Sequence, residues 1–316
     1  MNKERYVLVR LLNGFAKPLT YAVPASVGGD PLQVGAVIEV PLRNKQLPAM
    51  VLKVLSERPA VSYQIRALTR IQVLPGGGAY HEYLESLAAL YDSSAFHFYR
   101  RLRSFLLNGE LIDGQEADEG DHEPYHRQAT VQLTDAQAAA VAAVMPAVLE
   151  PRFHPTLLHG VTGSGKTEVY LALVRATIMA GRSVIFLAPE VSLARRFEQL
   201  FARDLGDGVA VYGFYSGVTK TARQALWQHM LAGKPMVIVG VHLPILLPCA
   251  NLGLILVDEE HETGFEEKQH PRVNSKYAAL LRARQYKLPI VLGSATPSVA
   301  TWYHARQQGW TICHLT

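Results

Sequence analysis

The sequence is poor in cysteine. Cys249 and Cys313 are the only two in 316 residues, and their spacing fits neither a CxxC metal hook nor a disulfide framework. That excludes a zinc site or a disulfide scaffold within these residues, and such sparse usage suits a reducing compartment. The opening stretch "MNKERYVLVR" has no signal-peptide apolar core. Twelve histidines are scattered without metal-ligand pairing. Charge is missing from residues 235–257, which hold no Asp, Glu, Lys or Arg. A run of that length raises the question of a membrane span. His242, Pro244, Pro248 and Asn251 interrupt it and "DEEH" ends it, so two buried strands of a parallel sheet explain it better, and no membrane partner is expected.

What remains is a chain built to fold: 49% of residues are hydrophobic and 18% charged, enough for two or three domains with cores. Net charge is +4, unevenly placed. Residues 1–76 hold 10 Lys/Arg against 4 Asp/Glu, residues 77–128 hold 4 against 10, and the remainder holds 17 against 13. A basic module, an acidic connector and a basic body fit a nucleic-acid protein, and equally an ordinary solvated surface.

Residues 1–76 read as short strands, "RYVLVRLL", "LTYAVP", "GAVIEVPL", "AMVLKVL" and "LTRIQVL", punctuated by Pro and Gly. Residues 77–128 read as a helical connector. Tyr83, Leu84, Leu87, Leu90 and Tyr91 form one apolar stripe, and Phe98, Leu102, Phe105 and Leu106 predict a second helix ending near Asn108-Gly109. "DGQEADEGDHEP" then reads as an acidic linker. Tyr99, Arg100, Arg101 and Arg103 suit a strand-binding face, though a solvated helix face with core aromatics explains them more simply. From residue 129 helices alternate with apolar strands, starting at Thr134 as a helix N-cap. "TLLHG", "SVIFLAP", "VAVYGFYS", "PMVIVGV", "LGLILVDEE" and "PIVLGSAT" are predicted buried strands of a doubly wound parallel α/β sheet.

Three motifs in this body carry chemistry. "HGVTGSGKTEVY" fits G-x-x-x-x-G-K-[ST] between a predicted strand and helix, the context that confirms a P-loop. Gly160, Thr162, Gly163, Ser164 and Gly165 would curl backbone N–H groups round phosphate, Lys166 would reach the β- and γ-phosphates, and Thr167 would offer its hydroxyl to Mg²⁺. About ninety residues on, "LGLILVDEEH" ends a buried strand in Asp258, a candidate Mg²⁺ ligand, and Glu259, which would orient the attacking water. "GSATPS" ends a third buried strand, where Ser294, Ala295 and Thr296 are placed to couple nucleotide state to the acid motif.

In this order the motifs resemble superfamily 2 helicases. More narrowly, "LLHGVTGSGKTEVY", "APEVSLARR", "LGLILVDEEH" and "IVLGSATPSVA" are similar to the PriA family of bacterial primosomal replication-restart helicases, also called primosomal protein N′. The resemblance implies a RecA-like P-loop lobe (residues 129–316) preceded by a small β-rich domain that holds a DNA 3′ end (residues 1–76) and a helical connector (residues 77–128). It implies ATP and Mg as cofactors, a 3′→5′ DNA helicase acting in fork restart and primosome assembly, and a monomeric cytoplasmic, nucleoid-associated protein. Forked or single-stranded DNA, primosome proteins and single-stranded DNA-binding protein are the implied partners. By position it makes Gln137 in "LTDAQ" a reader of the adenine, His261 the link from acid motif to coupling motif, and Tyr21, Gly35 and Arg66 the 3′-end pocket. Phe265, Lys268 and Arg272 fall in the aromatic-rich strand-facing loop.

The sequence also departs from that family. Its aromatic-acid-tyrosine triplet reads Leu19-Thr20-Tyr21, "GTRSA" reads "GVHLP", and Arg66 stands where a lysine is usual. The loop after "DEEH" reads "ETGFEEKQHPRVNSKYAA", with Val273 and Tyr277 on the second tyrosine and the aspartate, and Glu266 and Glu267 adding charge that repels phosphate. In this superfamily ATP lies between two lobes, and the second contributes an arginine worth on the order of 10³–10⁵ in rate. That lobe and the family's zinc-binding cysteines would follow the 316 residues, so no zinc and little turnover are expected of this chain alone. Two other readings stand beside this one: a non-catalytic fork-binding or primosome-assembly module, and lobe 1 of another superfamily 2 DNA translocase.

Overall fold

Alternating apolar residues in "RYVLVRL" put Tyr6, Val7, Val9 and Leu11 into a core, so this segment can form only a half-buried strand. The computed structural model describes residues 5–15, 17–24, 32–72, 74–102, 132–206 and 208–315. Contacts divide the chain into two units, residues 1–109 with 246–250, and residues 110–245 with 251–316.

The first unit is a six-stranded sheet in the order β5-β2-β1-β4-β3-β6. Its strands are β1 (Arg5–Leu11), β2 (Leu19–Val23), β3 (Val37–Leu42), β4 (Lys45–Leu55), β5 (Arg66–Ala67) and β6 (Arg70–Gln72). The pairs are antiparallel except β2 with β5. Val7, Val9, Leu11, Ile38, Val40 and Val51 form its core. Leu42 pairs with Lys45, which leaves a two-residue turn. Such turns need a left-handed residue, and here Arg43 takes it, with φ 54°. Helices α1 (Gly77–Leu90) and α2 (Ala95–Arg101) follow. Helix α1 buries Tyr80, Tyr83, Leu84 and Leu87. The expected stripe stops there: Leu90 is 58% exposed and Tyr91 lies past the helix end, because the last turn runs beyond the residues that cover the stripe. Phe98 and Tyr99 are fully buried, so Tyr99 is a core residue and not a stacking platform. Arg103, Phe105, Leu106, Asn108-Gly109 and the acidic linker lie outside the described residues.

The second unit is a seven-stranded sheet, all of its pairs parallel, in the order β13-β7-β12-β11-β8-β10-β9. Its strands are β7 (His154–Gly160), β8 (Ser183–Leu187), β9 (Ala210–Phe214), β10 (Met236–Gly240), β11 (Leu252–Val257), β12 (Pro289–Ser294) and β13 (Thr311–Leu315). Every residue of β8, β10, β11 and β12 is buried, as strands covered on both faces require. The charge-free run is thus β10 and β11 with their connection, and among the described residues no helix is long and apolar enough to cross a membrane. Helices α3 (Asp135–Leu149), α4 (Lys166–Met179), α5 (Val191–Leu205), α6 (Lys220–Leu231), α7 (Ser275–Gln285) and α8 (Val299–Gln307) connect or flank the strands. Thr134 caps α3, its hydroxyl accepting from Gln137 N while Gln137 Oε1 accepts from Thr134 N. Strand β13 is absent from the sequence-based expectation. It is a five-residue edge strand beside β7 with only Leu315 buried, too short and too wet to announce itself. The fold is a RecA-like α/β lobe preceded by a small β-rich domain, and its chemistry-bearing motifs sit at the carboxyl ends of β7, β11 and β12, where open parallel sheets bind ligands.

Candidate nucleotide site and strand-end pocket

Glycine makes the P-loop possible by permitting backbone that other residues resist. Gly163 and Gly165 take φ of 86° and 82°. A Cβ at Gly160 would overlap the Ser164 side chain and lie 2.8 Å from Leu315 Cβ. Gly165 caps α4, so the helix N-terminus faces the loop with its partial positive charge. Lys166 is buried and its Nζ donates to Gly160 O at 2.9 Å. Ser164 Oγ is buried with no hydrogen-bond partner among the described residues. Gln137 reaches the loop from α3, its Nε2 donating to Ser164 O at 3.1 Å. Both ends of that amide therefore serve the fold.

Asp258 and Glu259 leave the end of β11 and meet the P-loop. A cavity of about 480 Å³ is lined by Thr162, Gly163, Gly165, Lys166 and Thr167, by both acids, and by Arg196 and Phe197 of α5. Asp258 is buried, and Tyr170 Oη donates to its Oδ1 at 2.9 Å. Burial raises the Asp258 pKa to about 6, with Glu259 adding to the rise while the Tyr170 hydrogen bond and Lys166 oppose it. Tyr170 itself is pushed well up, first by burial and then by Asp258. Glu259 holds φ 47°, its carboxylate 3.8 Å from Lys166 Nζ and 3.5 Å from His261 Nδ1. His261 Nδ1 lies 2.7 Å from Ser294 Oγ, and Ser294 Oγ accepts from Thr296 N at 3.0 Å. Ala295 O faces His159 Nε2 at 3.2 Å. Lys166, Thr167, Asp258, Glu259, His261 and Ser294 are thus brought together in one connected set.

Sequence reasoning missed several members. Tyr170 was within reach, since it stands one helical turn after Lys166 on the same face. The side chain of Arg196, the second cation of the cavity wall, makes no hydrogen bond, ion pair or ring contact with another described residue. Glu260, between the acids and His261, is fully buried. Its carboxylate accepts from Lys276 Nζ at 2.8 Å, Thr301 Oγ1 at 2.6 Å and Ser298 N at 2.7 Å. Burial pushes this carboxyl up, but the Lys276 and Thr301 bonds outweigh it and hold the pKa below the usual glutamate range. No motif marks Lys276 or Thr301, whose pairing with Glu260 depends on tertiary packing of α7 and α8.

The donor set fits magnesium: Thr167 hydroxyl and Asp258 carboxylate are hard oxygens on one cavity. No cluster of three His, Cys, Asp or Glu suited to a metal occurs among the described residues.

The residues expected to face DNA are corrected in two places. Phe265 is fully buried and packs inside its loop, where its carbonyl accepts from Ser275 Oγ, so it offers no stacking surface. Lys268 and Arg272 are exposed as a strand contact requires, beside exposed Glu266. In the first unit, Tyr21 and Arg66 line a cavity of about 450 Å³ together with Thr20, Arg43 and Tyr63. Gly35 does not line it. It holds φ 83° and leaves room for His81 of α1, whose ring a Cβ would overlap. The left-handed residue of the pocket is Arg43.

Residues 134–303 match the DEAD/DEAH box helicase family, and residues 6–76 match the 3′DNA-binding domain (3′BD) of PriA. The chain is 39% identical to the replication restart protein PriA of Synechocystis sp. over 173 residues, 54% of this chain and 20% of that protein. For the Bacillus subtilis protein of the same name identity is 35% over 58% of this chain and 22% of the relative. For that of Rickettsia felis it is 28% over 91% and 42%. The chain thus spans between a fifth and about two fifths of the length of these relatives. Among solved structures, RecG bound to a three-way DNA junction is similar over 60% of this chain and 24% of its own, with 21% identity and a TM-score of 0.46. With a helicase match covering more than half of its residues, the chain belongs to the DEAD/DEAH box helicase family and resembles a portion of the PriA replication restart proteins.

Proposed function

We propose that the chain forms the nucleotide-binding lobe and strand-end-binding domain of a PriA-like DNA helicase, binding ATP with magnesium and holding forked or single-stranded DNA for replication restart. The observation that carries this reading is the convergence of Lys166, Thr167, Asp258, Glu259 and Arg196 on one cavity, joined through His261 to Ser294. Lys166 and the α4 N-terminus bind β- and γ-phosphate oxygens, exchanging the Gly160 carbonyl for ligand. Thr167 and Asp258 would hold a magnesium ion, which when bound would supply charge neutralisation to the phosphoryl group. Glu259 positions water, and its side chain lies near both Lys166 and His261, so it senses phosphate on one side and the coupling segment on the other. Arg196 adds a second cation where a triphosphate carries more charge than a diphosphate.

A second reading, a fork-binding assembly module without DNA-stimulated turnover, is favoured by the buried Phe265 and the acidic loop around it. Phosphate release by the purified chain, with and without forked DNA, separates the two. Stimulation by forked DNA supports the motor reading. A rate indifferent to DNA while DNA is bound in an anisotropy assay supports the module.

A further inference from the structure

Gly293, near the end of β12, is a buried glycine whose backbone does not call for one, since its φ lies outside the left-handed region. What it provides is clearance. A Cβ there would overlap the Tyr170 hydroxyl and lie 2.9 Å from Tyr170 Cζ. Tyr170 stands on α4 one turn after Lys166 and is fully buried. Its ring lies edge-on to Phe186, 5.7 Å between centroids, and tilted against Phe197 at 6.5 Å. The packed ring carries the hydroxyl to Asp258, where it donates to Oδ1 at 2.9 Å.

A buried phenol needs an acceptor, and a backbone carbonyl would serve the fold equally well. Here the acceptor is the buried carboxylate of the nucleotide cavity. The terminal torsion of an aspartate is broad, so a carboxylate with no partner swings. Two donors hold this one, the Tyr170 hydroxyl and a backbone hydrogen bond from Glu259. An ionised carboxylate has about four acceptor sites, so both donors leave it able to bind a cation. Magnesium demands near-ideal octahedral geometry, which rewards a ligand kept in one orientation.

We propose that Tyr170 is a positioning residue for magnesium, holding the Asp258 carboxylate in one orientation for the ion, and that Gly293 is needed to admit its hydroxyl. The inference rests on the reading of Thr167 and Asp258 as magnesium ligands and deepens it. Tyr170 is not part of the cavity wall, so it acts through Asp258 alone. Removing the hydrogen-bond partner of a metal ligand costs on the order of 10–100-fold in metal affinity. The effect falls on nucleotide binding that depends on the metal. A tyrosine that only filled the core would act on nucleotide binding with and without metal alike.

The test is calorimetric titration of ATPγS into the full chain, with saturating Mg²⁺ and with chelator, for the wild type, Tyr170→Phe and Gly293→Ala. The readout is the ratio of the two dissociation constants. In the wild type the metal tightens binding about tenfold. In Tyr170→Phe the ratio falls to near one, while the affinity with chelator stays within about twofold of the wild type. Gly293→Ala, which crowds the hydroxyl off Asp258, gives the same loss, and adding Tyr170→Phe to it lowers the ratio no further. Thermal unfolding with chelator checks that each variant is folded, and if Gly293→Ala is not, the Tyr170→Phe ratio decides alone. A ratio still near tenfold in Tyr170→Phe would overturn the proposal, including where both affinities fall together. A wild type that binds ATPγS equally with and without Mg²⁺ would overturn the inference and the magnesium assignment, and leave nucleotide binding standing. Failure of the wild type to bind ATPγS at all would overturn the nucleotide reading together with the inference.

Discussion

Asp258 is buried in the cavity that the P-loop and the acid motif share. Burial raises its pKa to about 6, and the Tyr170 hydroxyl is the main force holding it down. In Tyr170→Phe the ring still packs, so the loss is one buried hydrogen bond, and stability to denaturant is expected to fall by about 1 kcal/mol. An unchanged denaturation midpoint would show that the bond is not made. Arg196→Ala is expected to weaken ATPγS binding roughly tenfold and ADP binding much less, since the extra charge lies at the γ-position. Equal losses for both nucleotides in calorimetry would remove Arg196 from the γ-phosphate. Lys166 and Thr167 were legible in the sequence because their motif is contiguous and its geometry is dictated by phosphate. Arg43 was not, since nothing in "VPLRNKQ" declares that the arginine takes a left-handed φ. Gly35 misled for the same reason: a glycine with positive φ looks alike whether it admits a ligand or, as here, a neighbouring histidine ring.

Elements explain why the coupling motif sits where it does. Strands β11 and β12 are parallel neighbours, which places Asp258–His261 beside Ser294–Thr296 at their carboxyl ends. Helices α7 and α8 are then drawn to the same point by Glu260, through Lys276 and Thr301. Replacing Lys276 by Met leaves a buried carboxylate without its cation, and such losses cost about 3–5 kcal/mol. Chemical denaturation of Lys276→Met should show this, with partial recovery in the Glu260→Gln, Lys276→Met double variant. A single variant as stable as the wild type would mean the pair contributes only its geometry. The sequence revealed β8, β10, β11 and β12 most clearly because both their faces are buried and their apolar runs are unbroken. It concealed β13 and overextended the apolar stripe of α1, because edges and helix ends are half wet and carry no sharp pattern.

Across the whole molecule, a P-loop cavity and a second pocket lined by Arg43 and Arg66 lie in separate units. The account rests most heavily on the first. Its most direct measurement is calorimetric titration of ATPγS into the wild-type chain and Lys166→Ala, with Mg²⁺ and again after chelation. The account predicts micromolar binding by the wild type, about tenfold weaker without Mg²⁺, and near loss in Lys166→Ala. Unchanged affinity in Lys166→Ala would contradict it.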